Sequence, residues 1–323
     1  MIVVTGAAGF IGSCLVKKLN DLGHENIILV DDFTIKSKER NLQNKAYLQK
    51  VSRNVFFDWL EQNKNPIDFI FHIGARTDTT EFNKETLQKL NIDYSKNIWN
   101  YCFNTKTPLV YASSAATYGI GENGYEDSHE IINKLKPLNP YGESKNDFDI
   151  WVLKQKTTPP FWAGLKFFNV YGPNEYHKGR MASVIFHAFN QIQANQKMKL
   201  FRSHNENYKN GEQLRDFIYV KDAVEFVIFF LKNNHISGLF NSGTGRAQSF
   251  NDLANAVLIN TKGDKSNIKY IDMPDDLKGK YQYYTEANLD KISNKGFNLK
   301  FKNLEEGVND YMQNYLLTSD RYA

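Results

Sequence analysis

The segment Tyr141-Gly-Glu-Ser-Lys145 sets a phenol and an ammonium four residues apart, a spacing that puts both on one face of a helix. A free tyrosine has a pKa of about 10, too high for a base near neutrality, and a neighbouring cation corrects this by stabilising the tyrosinate. Such a pair can move a proton at neutral pH. The same spacing is common on exposed helices without any function, so the pair gains meaning only from its company. Ser113 and Ser114 end an apolar run upstream, where a hydroxyl can hydrogen-bond the oxygen of a substrate carbonyl or alcohol. The competing reading is a strand end that caps the next loop. Downstream, "NEYHKGRMAS" follows "FFNVYGP" and places His177, Lys178 and Gly179 at the mouth of another apolar run.

A second kind of chemistry is written in "TGAAGFIG". Gly6, Gly9 and Gly12 stand between a β-branched run and a helical pattern, where missing side chains let backbone approach a pyrophosphate at the positive end of a helix. Asp31 follows nineteen residues after Gly12, at the end of the next apolar run and beside Asp32. A carboxylate there can take the ribose hydroxyls of an adenosine. Alone, the glycine spacing is a weak signal that ordinary turn chemistry also produces, and the carboxylate is what strengthens it.

These groups need elements to hold them. Ile2 to Thr5 reads as a strand, and Ile11 to Leu22 as a helix that Gly23 terminates; Asn26 to Asp32, Ile67 to Ala75 and Thr107 to Ala115 read as further buried strands. A helix begins near Pro140 with Asn139 as its cap, and "FWAGLKFFNVYG" reads as the strand after it. Alternation of strand and helix predicts a parallel sheet covered on both faces. Beyond Gly172 the pattern turns irregular, apart from a closing helix near Leu304 to Leu317.

Composition bounds the function classes. At 323 residues the chain exceeds the size at which single cores stop growing, so a large domain with a smaller partner is expected. Apolar residues at 41% and aromatics at 14% argue for a packed core. Forty basic against thirty-six acidic residues give +4 overall, with the lysines scattered, so nucleic acid is not expected as a partner. Cys14 and Cys102 are far apart in sequence and suit neither a disulfide framework nor a metal site. No apolar run approaches the roughly eighteen residues of a membrane span, and "MIVVTGAAGFIGSCLVKKL" lacks the basic leader of a signal peptide. The expectation is a cytoplasmic protein with no membrane partner and no metal.

In this order, "TGAAGFIG", "YASSAATYG", "NPYGESK" and "FFNVYGP" resemble the extended short-chain dehydrogenase/reductase family that acts on nucleotide sugars. Within it, "YGPNEYHKGRMASV", "RDFIYVKD", "FNSGTGRAQSF" and "DLKGKYQYYTEANL" resemble a branch of epimerases whose substrate is an ADP-linked heptose. The resemblance runs from Met1 nearly to the closing helix. It implies an α/β fold, a doubly wound parallel Rossmann sheet with a smaller α/β substrate-binding domain. The first domain would take 1–168 with about 216–245, and the second 169–215 with about 246–323. It also implies an isomerase that removes a hydride to a nicotinamide cofactor, NADP with NAD kept open, and returns it to the other face of the sugar carbon. The partner would be a small nucleotide sugar, in a homo-oligomer that family resemblance makes a pentamer.

Residue by residue, the resemblance implies Tyr141 and Lys178 as two acid/bases, with Lys145 and Ser114 supporting them. The other reading of Lys178 is a loop lysine paired with substrate phosphate; His177 would support the loop. Besides Gly6, Gly9 and Gly12, cofactor contacts would come from Phe10, Ile11, Asp31, Asp32, Lys38, Arg53, Ile73, Gly74, Ala75, Arg76, Thr77, Asn91, Lys145, Val170 and Lys178. Lys38 and Arg53 suit a 2'-phosphate, which Asp31 would repel. Asn169, Arg180, His187, Phe201, Arg202, Ser203, His204, Arg215 and Tyr281 would line the sugar-nucleotide site, with Arg215 a bidentate partner for diphosphate. Two features depart from the family pattern: Arg180 stands where a small serine is usual, and the loop Ser203–Gln213 is longer. Among relatives, a 4,6-dehydratase would need acids where Ala115 and Ala116 stand. A UDP-hexose 4-epimerase would lack the His-Lys-Gly segment, and a non-catalytic cofactor-binding regulator would not need Tyr141 or Lys145.

Overall fold

The computed structural model describes residues 1–194, 197–274 and 281–323. Its strands are β1 (Ile2–Thr5), β2 (Ile27–Asp31), β3 (Gln49–Ser52), β4 (Phe69–His72), β5 (Leu109–Ser114), β6 (Trp162–Phe167), β7 (Asn169–Tyr171), β8 (Met198–Phe201), β9 (Leu214–Tyr219), β10 (Gly238–Ser242), β11 (Ala247–Ser249) and β12 (Ile268–Ile271). Seven of them form one sheet in the order β10-β6-β5-β4-β1-β2-β3, every neighbouring pair parallel. The strand order turns back on either side of β1 and β4, which opens a crevice beyond their carboxyl ends.

Alternation along each strand builds the two faces. Val4, Leu29 and Phe71 point into one apolar cluster with Leu15, Leu19 and Val224, while Val3, Ile28 and Ile70 point into the other with Ile98, Trp99 and Phe148. Helices Phe10–Asp21 and Val220–Lys232 thus cover one face, and Tyr94–Thr105 and Pro140–Leu153 the other. Burial on both sides explains why the strands read as unbroken apolar runs.

The remaining strands make two small sheets. β7 pairs parallel with β9 and β9 antiparallel with β11; β8 pairs parallel with β12. The expected single strand over 161–172 is divided at Phe168, whose N–H donates to Ser242 O at 3.0 Å while its own carbonyl accepts from Val170 N at 3.0 Å. That bend sends β6 into the large sheet and β7 into the small one. The region expected to be irregular also holds regular elements, among them β9, Val220–Lys232, β10 and Phe250–Thr261. Their strands are only three to six residues long, too short for a period to show. The closing helix begins at Leu304, capped by Asn303.

Candidate active site

At the carboxyl end of β1 the chain turns through Gly6, held at φ +67. A Cβ on Gly6 would lie 2.6 Å from the Cα of Gly74, and one on Gly12 would lie 2.1 Å from the carbonyl oxygen of Gly6. Both glycines are therefore required by close backbone approach. Gly9 precedes helix Phe10–Asp21, and no side chain caps its first turn. Its free N–H groups and dipole face the crevice, an arrangement suited to a pyrophosphate. Gly12→Ala is expected to cost about 3 kcal/mol of stability, because backbone meets the new methyl and cannot yield; thermal unfolding without cofactor measures it.

Asp31 ends β2 and accepts from Ala8 N at 2.9 Å, which locks the glycine turn to the strand. Lys38 Nζ lies 3.0 Å from the other oxygen of Asp31, and Arg53 Nη2 lies 2.9 Å from Asp32. Thr34 donates to Asp32 and, together with the Arg53 charge, holds that carboxyl below its usual range. Two cations and two carboxylates thus meet at the place expected for the adenosine ribose. Arg53 Nε and the Tyr94 hydroxyl are buried with no hydrogen-bond partner among the described residues, donors left for an acceptor that the protein does not itself supply. The residues fit a dinucleotide.

Ile73 and Gly74 follow β4 and back onto the glycine turn, Gly74 N donating to Thr5 Oγ1 at 3.2 Å. The segment to Thr77 runs along the crevice, with Arg76 N and O bonded to the Asn91 amide at 2.8 and 3.0 Å. The Arg76 guanidinium turns outward to Glu81 at 3.1 Å. Asn91 also donates to Ser144 Oγ at 3.0 Å, and Ser144 donates to the Tyr141 carbonyl at 2.7 Å. A continuous chain Thr5, His72, Ser95, Asn91, Ser144 therefore ties β1 to the helix that carries Tyr141. Burial holds His72 neutral, its pKa lowered to about 3.

Helix Pro140–Leu153 starts as the sequence predicts, with Asn139 Oδ1 accepting from Gly142 N at 2.8 Å and Pro140 in the first turn. Tyr141 is buried with its hydroxyl beside Ser114 at the end of β5. Burial pushes its hydroxyl pKa up, and the Ser114 side chain pulls the other way. One turn on, Lys145 Nζ donates to Ala112 O at 2.8 Å, and burial lowers its pKa to about 8. Tyr141, Lys145 and Ser114 are brought together as expected.

Lys178 comes to the start of the glycine-turn helix from a separate turn. It sits in the turn Tyr176–Met181, and its Nζ lies 5.9 Å from the centre of the Phe10 ring, at the start of the glycine-turn helix. Burial and the Lys38 charge lower its pKa, against the pull of Glu175. Asn41 joins this turn to the glycine loop, donating to Ala8 O at 2.9 Å and Asn174 O at 3.1 Å, with His177 Nδ1 at 3.3 Å. His177 is kept neutral by burial, its pKa lowered to about 4, as befits a supporting group. Arg180 is exposed, and its charge reaches Asp78.

The other predicted residues lie farther out. Val170 is half-buried on β7, and the Asn169 amide donates to Asp216 O at 3.2 Å. Arg215 is buried with its guanidinium 4.9 Å from the Tyr281 ring, donating to the carbonyls of Leu214 and Gln282. Those bonds occupy the fork expected to face a diphosphate. Phe201 packs edge-on to Tyr281 with ring centres 6.3 Å apart. His204 and Tyr281 line a cleft of about 720 Å³ together with Met273 and Tyr283. Ser203 is tied into the same loop through Asn205 and Asn210, whereas Arg202 pairs outward with Asp272 at 3.1 Å. His187 is half-buried on helix Val184–Gln193. Lys278, Gly279 and Lys280 of the "DLKGKYQ" segment lie outside the described residues.

Sequence reasoning missed Asn41 and the pair Asp149 and Lys166. Asn41 carries no local signal. Lys166 does, being one charge inside the apolar run "FWAGLKFF", and Asp149 is the next residue on the Tyr141/Lys145 face. Among the described residues no cluster of three or more His, Cys, Asp or Glu could hold a metal, and no helix is long and apolar enough to cross a membrane.

The family model described as "NAD dependent epimerase/dehydratase family" matches residues 2–243. Over the whole length of both chains, the protein is 48% identical to an ADP-L-glycero-D-manno-heptose-6-epimerase of Fusobacterium nucleatum and 45% identical to one of Nitratidesulfovibrio vulgaris. The crystal structure of the Helicobacter pylori ADP-L-glycero-D-manno-heptose-6-epimerase superimposes with a TM-score of 0.80 at 28% identity, over 97% of this chain and 95% of that one.

Proposed function

The chain belongs to the NAD dependent epimerase/dehydratase family, and on that premise we propose that it interconverts ADP-D-glycero-D-manno-heptose and ADP-L-glycero-D-manno-heptose at C6''. One observation carries the reading. Tyr141, beside Ser114 and backed by Lys145, faces a crevice whose neighbours Ala115 and Ala116 offer no acid for elimination, in a chain 48% identical throughout to an epimerase of that name. NMR of the 6''-D epimer incubated with the cofactor-loaded protein should show the 6''-L epimer accumulate. No conversion would sink the proposal.

Held by the glycine turn, Asp31 and Asp32, a nicotinamide dinucleotide would supply reversible hydride acceptance at C6'', with no net redox change. The residues handle the proton. Ser114 holds the C6'' oxygen and lowers the cost of the tyrosinate. Lys145 adds a positive charge one turn away. Tyr141 then takes the hydroxyl proton as the ketone forms. Because the ketone must present its two faces in turn, its oxygen lies in two places, and a second acid/base is needed at the second. Lys178 supplies it, its pKa already lowered toward neutrality by burial and Lys38. Arg180 stands beside it to meet the acidic parts of the substrate.

Of the two dinucleotides, Lys38 and Arg53 favour NADP. Replacing both with alanine is expected to weaken NADP binding at least about 10²-fold while leaving NAD nearly unchanged, since each of the two lost charge-assisted bonds is worth about 1.5–3 kcal/mol. Fluorescence titration with each cofactor reads this directly. The same proposal assigns the product to lipopolysaccharide core heptose in the cytoplasm, a homo-oligomer as the working form, and the division into 1–168 with about 216–245 and 169–215 with about 246–323 as cofactor and substrate domains.

A further inference from the structure

Behind Tyr141 lies an ion pair that the mechanism above does not use. Asp149 and Lys166 are 2.7 Å apart with side-chain exposures of 0% and 1%. Taking two charges fully out of water costs several kcal/mol each, and an apolar pair of similar volume is often as stable. Stability alone does not account for them. Their placement does.

Along helix Pro140–Leu153, Tyr141, Lys145 and Asp149 recur every fourth residue and so share one face. That face is bonded to β5 in step. Tyr141 meets Ser114, Lys145 donates to Ala112 O at 2.8 Å, and Asp149 accepts from Ser113 Oγ at 2.6 Å and Tyr111 Oη at 3.0 Å. Lys166, paired in register with Ser113 from β6, closes the set by donating to Asp149 and, at 2.8 Å, to Thr117 Oγ1. Slippage of the helix by one residue would break all of these at once and separate Tyr141 from Ser114.

The pair also sets the field. Asp149 opposes ionisation of Tyr141 and favours the charged form of Lys145. Lys166, 2.7 Å from that carboxylate, carries the opposite charge. Around them, His72 faces Lys145 from β4 and is held neutral, with a pKa of about 3, as is His129, at about 4. Burial pushes the hydroxyls of Tyr111 and Tyr118 well up, so they too stay neutral. Glu126, Asp127 and Lys291 are the other charged groups whose fields reach this cluster, and Lys291 Nζ binds the Asp127 carbonyl at 2.8 Å.

We propose that Asp149 and Lys166 are positioning residues of the active site, which hold Tyr141 in register with Ser114 and balance the charge beneath Tyr141 and Lys145. The inference rests on the assignment of Tyr141 as an acid/base. In a pH profile of kcat/KM, the two limbs report the titrations of Tyr141 and Lys145 as a pair, and the charge of Asp149 moves both in the same direction. Asp149→Asn leaves Lys166 uncompensated, stabilises tyrosinate and disfavours the ammonium, and moves both limbs to lower pH by about half a unit or more. Lys166→Met moves both to higher pH. The double variant, with neither charge, returns them close to the wild-type positions while kcat stays lowered by the loosened register.

Circular dichroism identifies the variants that fold. Where one does not, Ser113→Ala removes the 2.6 Å donor from Asp149 with both charges kept, which leaves the carboxylate less shared and moves both limbs to higher pH. Limbs that stay in place in the folded variants overturn the proposal, as do single variants that shift in the same direction. Wild-type protein that fails to convert the sugar overturns the functional reading instead.

Discussion

Tyr141→Phe lowers kcat for C6'' epimerisation by about 10³-fold while the protein still folds and binds its dinucleotide. The magnitude is that of a lost general acid/base. The phenyl ring fills the same buried space, and the bonds that cap the helix at Asn139 and hold the Tyr141 carbonyl to Ser144 do not involve the hydroxyl. Only the hydroxyl beside Ser114, and with it the proton path, is removed. A cofactor-binding titration checks that the site is intact, and the residual rate is followed by NMR of the two epimers. A loss of less than about 10-fold would show that another group carries the proton.

Lys178→Met lowers turnover about 10²-fold or more, with the defect dependent on direction. Methionine keeps the length and apolar stem that lie toward Phe10, and removes the ammonium. If each base serves one orientation of C6'', the variant still oxidises one epimer and stalls at the ketone, while the other epimer does not react. A carbonyl reagent added during a single turnover should therefore trap the 6''-ketone from one epimer only. Tyr141→Phe should show the reverse preference. A lysine that merely binds phosphate would instead raise KM for both epimers alike and leave kcat near the wild-type value.

How much of this was legible in the sequence depended on the distance over which each signal acts. The glycine turn, the carboxylate at the end of β2, the Asn139 cap and the Tyr141/Lys145 spacing are all local, and the structure reproduces them. Membership of the family was legible from the order of those motifs, and full-length relatives at 45–48% identity agree. The bend at Phe168 was not, because it is set by a bond to Ser242 on β10 rather than by its neighbours. The short strands after β7 were missed for a related reason. Three to six residues carry too little pattern to stand out.

The sequence by itself determined the parallel α/β architecture and the glycine turn, and through family resemblance it named both proposed proton carriers. The residues of each element and of the glycine turn lie within a turn or two of each other, where propensity and periodicity act. Only the tertiary structure decided where Lys178 goes. Its turn is joined to the glycine loop through Asn41, which bonds Asn174 across 133 positions and Ala8 across 33. It also decided that Asp149 and Lys166 are a buried pair under Tyr141 rather than two unrelated charges. Contacts of that kind follow from strand order and from what the sheet excludes from water, and no local pattern encodes them.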